Sequence, residues 1–153
     1  MSFFSSMDIS SSGMSAERFK MDVISNNIAN VNTTHTVSGE PYKRKVAVIT
    51  PADQPEFVIP VGLEDGDTSA LVGRGVKVAG VTEDNSDFKY VYDPDNPEAI
   101  KEGKWKGYVA MPNINIISEM TNMIAASRAY EANVSAVEAA KAMALKSLEI
   151  GRS

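Results

Sequence analysis

The chain has 153 residues, 43% of them hydrophobic and 23% charged, which is ordinary for one small folded domain. A net charge of −5, with no strongly basic segment, argues against a surface that binds nucleic acid. The absence of cysteine excludes disulfides, thiol catalysis and cysteine-ligated metals. No apolar run approaches ~18 residues, so we expect no transmembrane helix, and the serine-rich start lacks the apolar run of a cleaved signal peptide.

The first predicted element is a helix from about Ser6 to Val31. Its apolar residues recur every seven positions, with further ones three residues later, and the charged residues lie largely off this stripe. Such a narrow stripe is closer to the seam of a coiled coil than to the face of a globular helix. The residues that we expect to pack against other helices are Met14, Met21, Ile24 and Ile28.

An asparagine-rich joint, formed by Asn26, Asn27, Asn30 and Asn32, lies where this helix should end. Asparagine tolerates left-handed backbone, and its side chain hydrogen-bonds nearby backbone groups. The joint therefore predicts the end of the helix and a change of direction. We expect it to close a first segment, residues 1–36.

Residues 37–111 are predicted to form a small antiparallel β unit. Short runs rich in β-branched and aromatic residues alternate with turn residues, a pattern typical of strands. With about four or five strands, such a unit is close to the lower limit for an independent core. Residues 62–73 are expected to form a mobile loop. The predicted strands are Lys43–Thr50, Phe57–Val61, Val76–Val81, Lys89–Tyr92 and Tyr108–Met111.

The last segment, residues 112–153, contains about 35 residues without proline or glycine and predicts a long helix. Pro112, Asn113 and Asn115 favour its start, and Gly151 favours its end. Two apolar phases repeat every seven residues along it, and its many alanines allow a neighbouring helix to approach closely. The predicted packing residues are Ile116, Met120, Met123, Tyr130, Val134, Val137 and Leu148.

Together these elements predict an α+β fold, in which long N- and C-terminal helices pack as a coiled coil and a small antiparallel β unit connects them. A helix of about 35 residues is too long for so small a β unit to cover, and the N-terminal helix can cover only one of its faces. The alanine-rich flank is left over. Since a second packing face implies neighbouring subunits, the sequence predicts a structural subunit that assembles with other chains.

The residues that could support chemistry do not combine into a catalytic or metal site. His35 is the only histidine and lies in a polar loop, so we assign it no catalytic role. An EF-hand loop starting at Asp93 would need glycine at its sixth position and glutamate at its twelfth, where the sequence has Glu98 and Lys104. The basic run at residues 43–45 fits either a solvated strand or a patch for an acidic partner. We therefore predict no enzyme, no metal and no cofactor.

Two stretches of the chain carry a resemblance to a known family. The N-terminal helix leads into SNNIANVNTT at residues 25–34, which matches an NNxANxNT motif. GYVAMPNINII at residues 107–117 leads into the C-terminal helix. Both stretches resemble the flagellar rod and hook proteins, a family of bacterial axial proteins, and the second is most similar to the proximal rod members. The similarity covers nearly the whole chain, and residues 51–73 match nothing specific.

The resemblance implies a subunit of the rod of the flagellar basal body, which crosses the periplasm and transmits torque. It also implies export through the flagellar type III apparatus without a cleaved signal peptide. The implied partners are other proximal and distal rod proteins, the export gate or a membrane ring at the base, and several copies of the chain itself in a helical assembly. The alternative is a secreted or cytoplasmic helical adaptor that binds one partner without polymerising.

Overall fold

The computed structural model describes residues 3–52 and 75–151. In this part of the chain, a helix is followed by four strands and a second helix. This order confirms the predicted α+β class, whereas the coiled-coil packing stays a prediction. The predicted strand Phe57–Val61 and the predicted loop at residues 62–73 lie outside the described residues.

Two long helices lie at the two ends of the described chain, α1 at Phe3–Ala29 and α2 at Ile116–Ile150. Asn115 caps α2, because its Oδ1 accepts hydrogen bonds from the backbone N–H of Ile117 at 3.0 Å and of Ser118 at 3.4 Å. Neither helix, as far as its residues are described, has the length and hydropathy of a membrane span. The helix start that the sequence placed at residues 112–115 is therefore fixed by a side-chain cap.

The described strands form two two-stranded sheets, β1 with β2 and β3 with β4. Their bounds are β1 Lys45–Pro51, β2 Val76–Glu83, β3 Lys89–Tyr92 and β4 Tyr108–Met111. The first sheet is held at one end by the Asp84 N–H, which donates to the Arg44 carbonyl at 2.8 Å. In the second sheet the strands are antiparallel, with Tyr92 opposite Tyr108. Two-stranded sheets are marginally stable alone, so each depends on what packs against it.

The chain forms two compact units, and each unit contains part of both helices and part of the first sheet. The predicted division into three segments follows the order of the elements along the chain and stays a prediction. The units, counted over their described residues, are unit 1 at 3–19, 49–52, 75–79 and 126–151, and unit 2 at 20–48 and 80–125.

Unit 1 buries small residues where its two helical parts meet. Ala16, Ala126 and Ala140 are buried. A Cβ added at Gly13 would lie 3.0 Å from the side-chain nitrogen of Asn133, which is tighter than ordinary packing. On α1 the contact is made by Gly13 and Ala16, whose side chains are no larger than a methyl group. The backbones of the two helices can therefore approach closely.

The start of β2 in unit 1 is tied to α1 by Ser12. The Ser12 hydroxyl donates to the Ile9 carbonyl at 2.7 Å and accepts from the Val76 N–H at 3.1 Å. Gly75 has a φ of +79°, and a Cβ at this position would overlap the Ser12 hydroxyl. Both the left-handed backbone and the close approach therefore require glycine.

Unit 2 has a small apolar core that adjoins buried polar groups. Val23 and Ile24 of α1, Val109 of β4 and Ile114 before α2 are buried. Asn27 and Glu119 are buried in the same unit. Since a buried polar group costs free energy unless it is hydrogen-bonded, the partners of these two residues define the candidate site.

Candidate assembly joint

The centre of the candidate site is Asn27, whose side chain is 0% exposed near the end of α1. Its Nδ2 donates to the Lys45 carbonyl at 2.7 Å, and its Oδ1 accepts from the Lys45 N–H at 2.9 Å. The side-chain amide thus bonds the edge of β1 as a neighbouring strand would. Nδ2 also donates to Glu119 at 3.0 Å, and the Tyr42 hydroxyl donates to Oδ1 at 3.3 Å. All four hydrogen-bonding positions of the amide are occupied.

Glu119, in the first turn of α2, is a carboxylate with 1% exposure. Arg44 donates to its Oε1 from Nε at 2.8 Å and approaches the same oxygen with Nη2 at 2.7 Å. The Asn27 amide donates to the other oxygen. A buried charge is tolerated only when it is paired and hydrogen-bonded, and here both carboxylate oxygens have donors. The ion pair therefore holds the start of α2 against the residue that precedes β1.

Asn113 connects the same arginine to the segment between β2 and β3. Its Oδ1 accepts from the Arg44 N–H at 3.0 Å, and its Nδ2 donates to the carbonyls of Asp84 and Ser86, each at 3.2 Å. The Asp84 carboxylate accepts hydrogen bonds from the Ser86 hydroxyl and N–H and lies 3.5 Å from the Arg44 guanidinium. The hydrogen bonds from Ser86, and to a smaller extent Arg44, lower the pKa of Asp84. Asp84 therefore stays ionised beside the arginine.

Tyr42 stays a hydrogen-bond donor in this site. Burial raises the pKa of its hydroxyl, and the negative charges of Glu83 and Glu119 raise it further. The hydroxyl is therefore protonated at neutral pH and can donate to Asn27.

The other asparagines of the predicted joint act on the helix end or face solvent. Asn26 donates its side-chain amide to the Asp22 carbonyl at 3.0 Å, and Asn30 donates its own to the Asn26 carbonyl at 2.9 Å. The Thr33 hydroxyl donates to Asn30 Oδ1 at 3.2 Å. Asn32 is exposed. Of the four predicted asparagines, the structure brings only Asn27 into the buried network.

The predicted packing residues differ widely in exposure within the single chain. Ile24 is buried, and the three exposed ones all lie on α2. Their contacts with other subunits stay a prediction. The half-buried residues are Met14, Met21, Ile28, Met123, Tyr130, Val134 and Val137, and the exposed ones are Ile116, Met120 and Leu148.

The buried face of α2 follows a different phase from the one that hydrophobicity favoured. Glu119, Ala126 and Ala140 are buried and Asn133 is half-buried, and these four positions repeat every seven residues. One predicted phase, which contains Met123, lies beside this face, and its members are half-buried except for Ile116, which is exposed. Within the chain, the buried side of α2 is thus built from small and polar side chains.

The sequence pattern did not mark Glu119, Arg44 or Asn113 as site residues. It left the basic run at residues 43–45 open between a solvated strand and a patch for an acidic partner. In the structure Arg44 pairs internally with Glu119, and Lys43 pairs with Glu40 at 3.0 Å. A signal was present in the sequence, because Glu119 is a carboxylate in the same heptad phase as Ala126 and Ala140.

The network connects separate parts of unit 2. Within the described ranges, no cluster of three or more histidine, cysteine, aspartate or glutamate side chains could hold a metal ion. The bonds instead fix three parts of unit 2 to one another: the end of α1, the start of β1 and the start of α2. We call Asn27, Arg44, Glu119, Asn113 and Tyr42 the assembly joint.

Comparisons with known proteins match both ends of the chain and its full length. One family model, described as flagella basal body rod protein, matches residues 7–34, and another, described as flagellar basal body rod FlgEFG protein C-terminal, matches residues 106–150. The flagellar basal-body rod protein FlgC of Borreliella burgdorferi is 44% identical over 154 residues, covering 98% of both chains. Its Bacillus subtilis counterpart is 42% identical over 156 residues, with 99% of this chain and 100% of the relative covered. The FlgC protein of Escherichia coli O157:H7 is 36% identical over 152 residues, with 99% of this chain and 100% of the relative covered.

Proposed function

Because the chain belongs to the FlgC family of flagellar basal-body rod proteins, it is a structural subunit of that rod, and we propose that it polymerises with other axial proteins through α1 and α2. The family is structural, so the chain is not an enzyme. The part of the rod that we propose for it is the proximal one, which lies in the periplasm and transmits torque. We propose that it reaches this place through the flagellar type III apparatus without cleavage.

The observation that carries this proposal is the exposure of large apolar side chains on α2. In unit 2, Ile117, Met120 and Ile124 follow one another at helical spacing and are all exposed. In unit 1, Leu145 and Leu148 are also exposed near the end of the helix. Clusters of exposed apolar side chains mark interaction surfaces, and helices of neighbouring subunits can cover them.

The assembly joint supports a role in which force passes through the subunit. Each polar group of Asn27 and Glu119 has a partner with good geometry, so the contacts are directional and hold one arrangement. A subunit that transmits torque needs its helices and its β strands to move together. The joint provides this connection within unit 2.

The partners that we propose are other proximal and distal rod proteins, several copies of this chain in a helical assembly, and the export gate or a membrane ring at the base. The similarity of both terminal segments to rod-protein family models supports the first two. The third follows from the proposed position at the proximal end of the rod.

Charged substitutions on the exposed face of α2 test the proposal. Met120→Asp and Ile117→Asp place a carboxylate where we expect a neighbouring helix, and burying an unpaired charge costs several kcal/mol. We expect swimming to be lost and the chain to be missing from isolated basal bodies. Asn122→Asp is the matched control, because Asn122 is also exposed on α2 and receives the same charge.

Two outcomes contradict the proposal. Normal swimming with Met120→Asp and Ile117→Asp would show that this face stays in solvent. Basal bodies that contain a complete rod in a strain without the chain would show that the protein is an adaptor beside the rod.

A further inference from the structure

On the face of α2 that unit 1 buries, Asn133 lies between two alanines. Ala126 and Ala140 come seven residues before and after it and are buried, and Asn133 itself is half-buried. Its Nδ2 donates to the Ala129 carbonyl at 2.9 Å, one turn earlier in the same helix. This hydrogen bond fixes the orientation of the amide. A side chain that is larger than its two neighbours and held in place therefore stands on this face.

Gly13 of α1 lies directly against the Asn133 amide. A Cβ placed on Gly13 would be 3.0 Å from Nδ2 and 3.1 Å from both Cγ and Oδ1 of Asn133. Three amide atoms at nearly equal distances show that the flat face of the amide rests on the α1 backbone. Carbon atoms pack best at about 3.5–4.0 Å, so any residue with a side chain at position 13 would press on Asn133.

Glycine is an unfavourable residue for the helix at this position. Gly13 is the only glycine in the sequence of α1 and lies well inside the helix, which spans Phe3–Ala29. In a helix interior, glycine loses more conformational entropy on folding than alanine does and therefore weakens the helix. Alanine at position 13 would strengthen α1 itself, so the advantage of glycine here lies in its contact with Asn133.

The contact in unit 1 has the same register as the assembly joint in unit 2. In unit 2, Asn27 of α1 bonds Glu119 of α2. In unit 1, Gly13 of α1 meets Asn133 of α2. Gly13 precedes Asn27 by two heptads, and Asn133 follows Glu119 by two heptads, so both contacts belong to one alignment of the two helices. A shift of one heptad would set the amide against position 6 or 20, and neither position is glycine.

We propose that Gly13 is a specificity-determining residue, which lets the helices pack closely in unit 1 only in the alignment that the assembly joint selects in unit 2. The alanines alone accept several alignments, because each presents the same methyl group. Asn133 rejects those in which a Cβ faces its amide. The exposed apolar face of α2 takes its position from this alignment, so rod assembly depends on Gly13. This last step rests on the proposed function, whereas the contact itself does not.

A double-mutant cycle on the isolated chain tests the contact through the urea midpoints of Gly13→Ala, Asn133→Ala and the double variant. With Asn133 in place, we expect Gly13→Ala to lower the midpoint, because the new Cβ presses on the amide. In the Asn133→Ala background the same change should raise the midpoint, because alanine favours the helix. Ser11→Ala is the control: Ser11 is exposed on α1, so this change should raise the midpoint slightly in both backgrounds. A change of the same sign in both backgrounds for Gly13→Ala would overturn the proposal.

Swimming and the amount of the chain in isolated basal bodies test the dependence of assembly on Gly13. We expect Gly13→Leu to stop swimming and to lower that amount at least about tenfold, because leucine overpacks the contact more than alanine does. Gly13→Ala combined with Asn133→Ala should swim like the wild type. Normal swimming with Gly13→Leu would refute the role in assembly. Absence of the wild-type chain from basal bodies would refute the proposed function, and the urea midpoints would still decide whether the contact selects the alignment.

Discussion

In unit 1 the helical parts meet through alanine and glycine, whereas in unit 2 they meet through a buried amide and a buried carboxylate. Gly13 against Asn133, with Ala16 and Ala126 buried in the same unit, represents the first contact, and Asn27 with Glu119 the second. Small apolar side chains give close approach but little direction, so they leave the register of two helices weakly defined. Directed hydrogen bonds are satisfied in one register only. We expect the joint in unit 2 to select the alignment and the contact in unit 1 to allow close packing.

The largest effect should come from Arg44→Ala. It leaves the Glu119 carboxylate buried without its cation, and removing one partner of a buried ion pair costs about 3–5 kcal/mol of unfolding free energy. Urea denaturation of the isolated chain measures this loss. Lys43→Ala is the control, since its ion pair with Glu40 is largely exposed and should contribute less than about 0.5 kcal/mol. Equal losses in the two variants would show that the buried pair does not stabilise unit 2.

Asn27→Leu should have the next largest effect. It leaves the Lys45 N–H and carbonyl without partners and removes one donor from Glu119, for a loss of about 2–4 kcal/mol. Thermal unfolding followed by circular dichroism compares it with Asn32→Leu, which changes an exposed residue and should cost about 0.5 kcal/mol or less. A larger loss of stability in Asn32→Leu than in Asn27→Leu would contradict this prediction. It would show that the asparagines act through the backbone conformation of the helix end and not through the Asn27 amide.

A smaller effect is expected at Gly75 in unit 1. Gly75→Ala adds a Cβ that overlaps the Ser12 hydroxyl at a φ of +79°, and we expect a loss of about 2 kcal/mol. Gly103→Ala has a similar φ of +90° with no atom within 4 Å of the new Cβ, so it should cost about 1 kcal/mol from backbone strain alone. The difference between the urea midpoints of the two variants measures the part of the loss that comes from the close approach to Ser12. The same loss in both variants would mean that Ser12 moves aside freely.

The smallest effect concerns pH. The pKa of Asp84 is lowered in the folded chain, so its ionised form adds stability above the ordinary pKa of about 3.8, and this stability disappears as the pH falls through the lowered value. The difference in stability between wild type and Asp84→Asn should therefore shrink as the pH is lowered below about 4. Ser86→Ala should weaken this pH dependence, because Ser86 provides the main hydrogen bonds. If the difference in stability between wild type and Asp84→Asn grew as the pH was lowered, the predicted direction of the pH dependence would be wrong.

Local signals in the sequence predicted the fold class and the positions of its described elements. The α2 start follows from Asn115, whose cap involves residues two and three positions later. The joint could not be predicted in this way, because Arg44 and Glu119 are 75 positions apart. The four asparagines look alike in sequence, and only the face of α1 on which each lies decides that Asn27 is buried.

The face of α2 that is buried within the chain could not be predicted from its apolar residues. Apolar periodicity ranks Met120 and Leu148 as packing residues, yet the face buried within the chain carries Ala126 and Ala140. Close helix approach favours small side chains, which contribute little to a hydrophobic pattern. The large apolar residues are left for contacts that one chain alone does not make, and we propose that the rod provides them.

Methionine oxidation tests this central claim most directly, because it uses the wild-type chain. Met120 and Met143 of α2 are 54% and 63% exposed in the single chain, and Met14 and Met21 of α1 are half-buried and serve as internal references. Exposed methionine is readily oxidised to the sulfoxide, which mass spectrometry quantifies. We expect Met120 and Met143 to react quickly in the isolated chain and at least about tenfold more slowly in intact basal bodies, once the helices of neighbouring subunits cover them. Equal oxidation rates in the two samples would contradict assembly through α2.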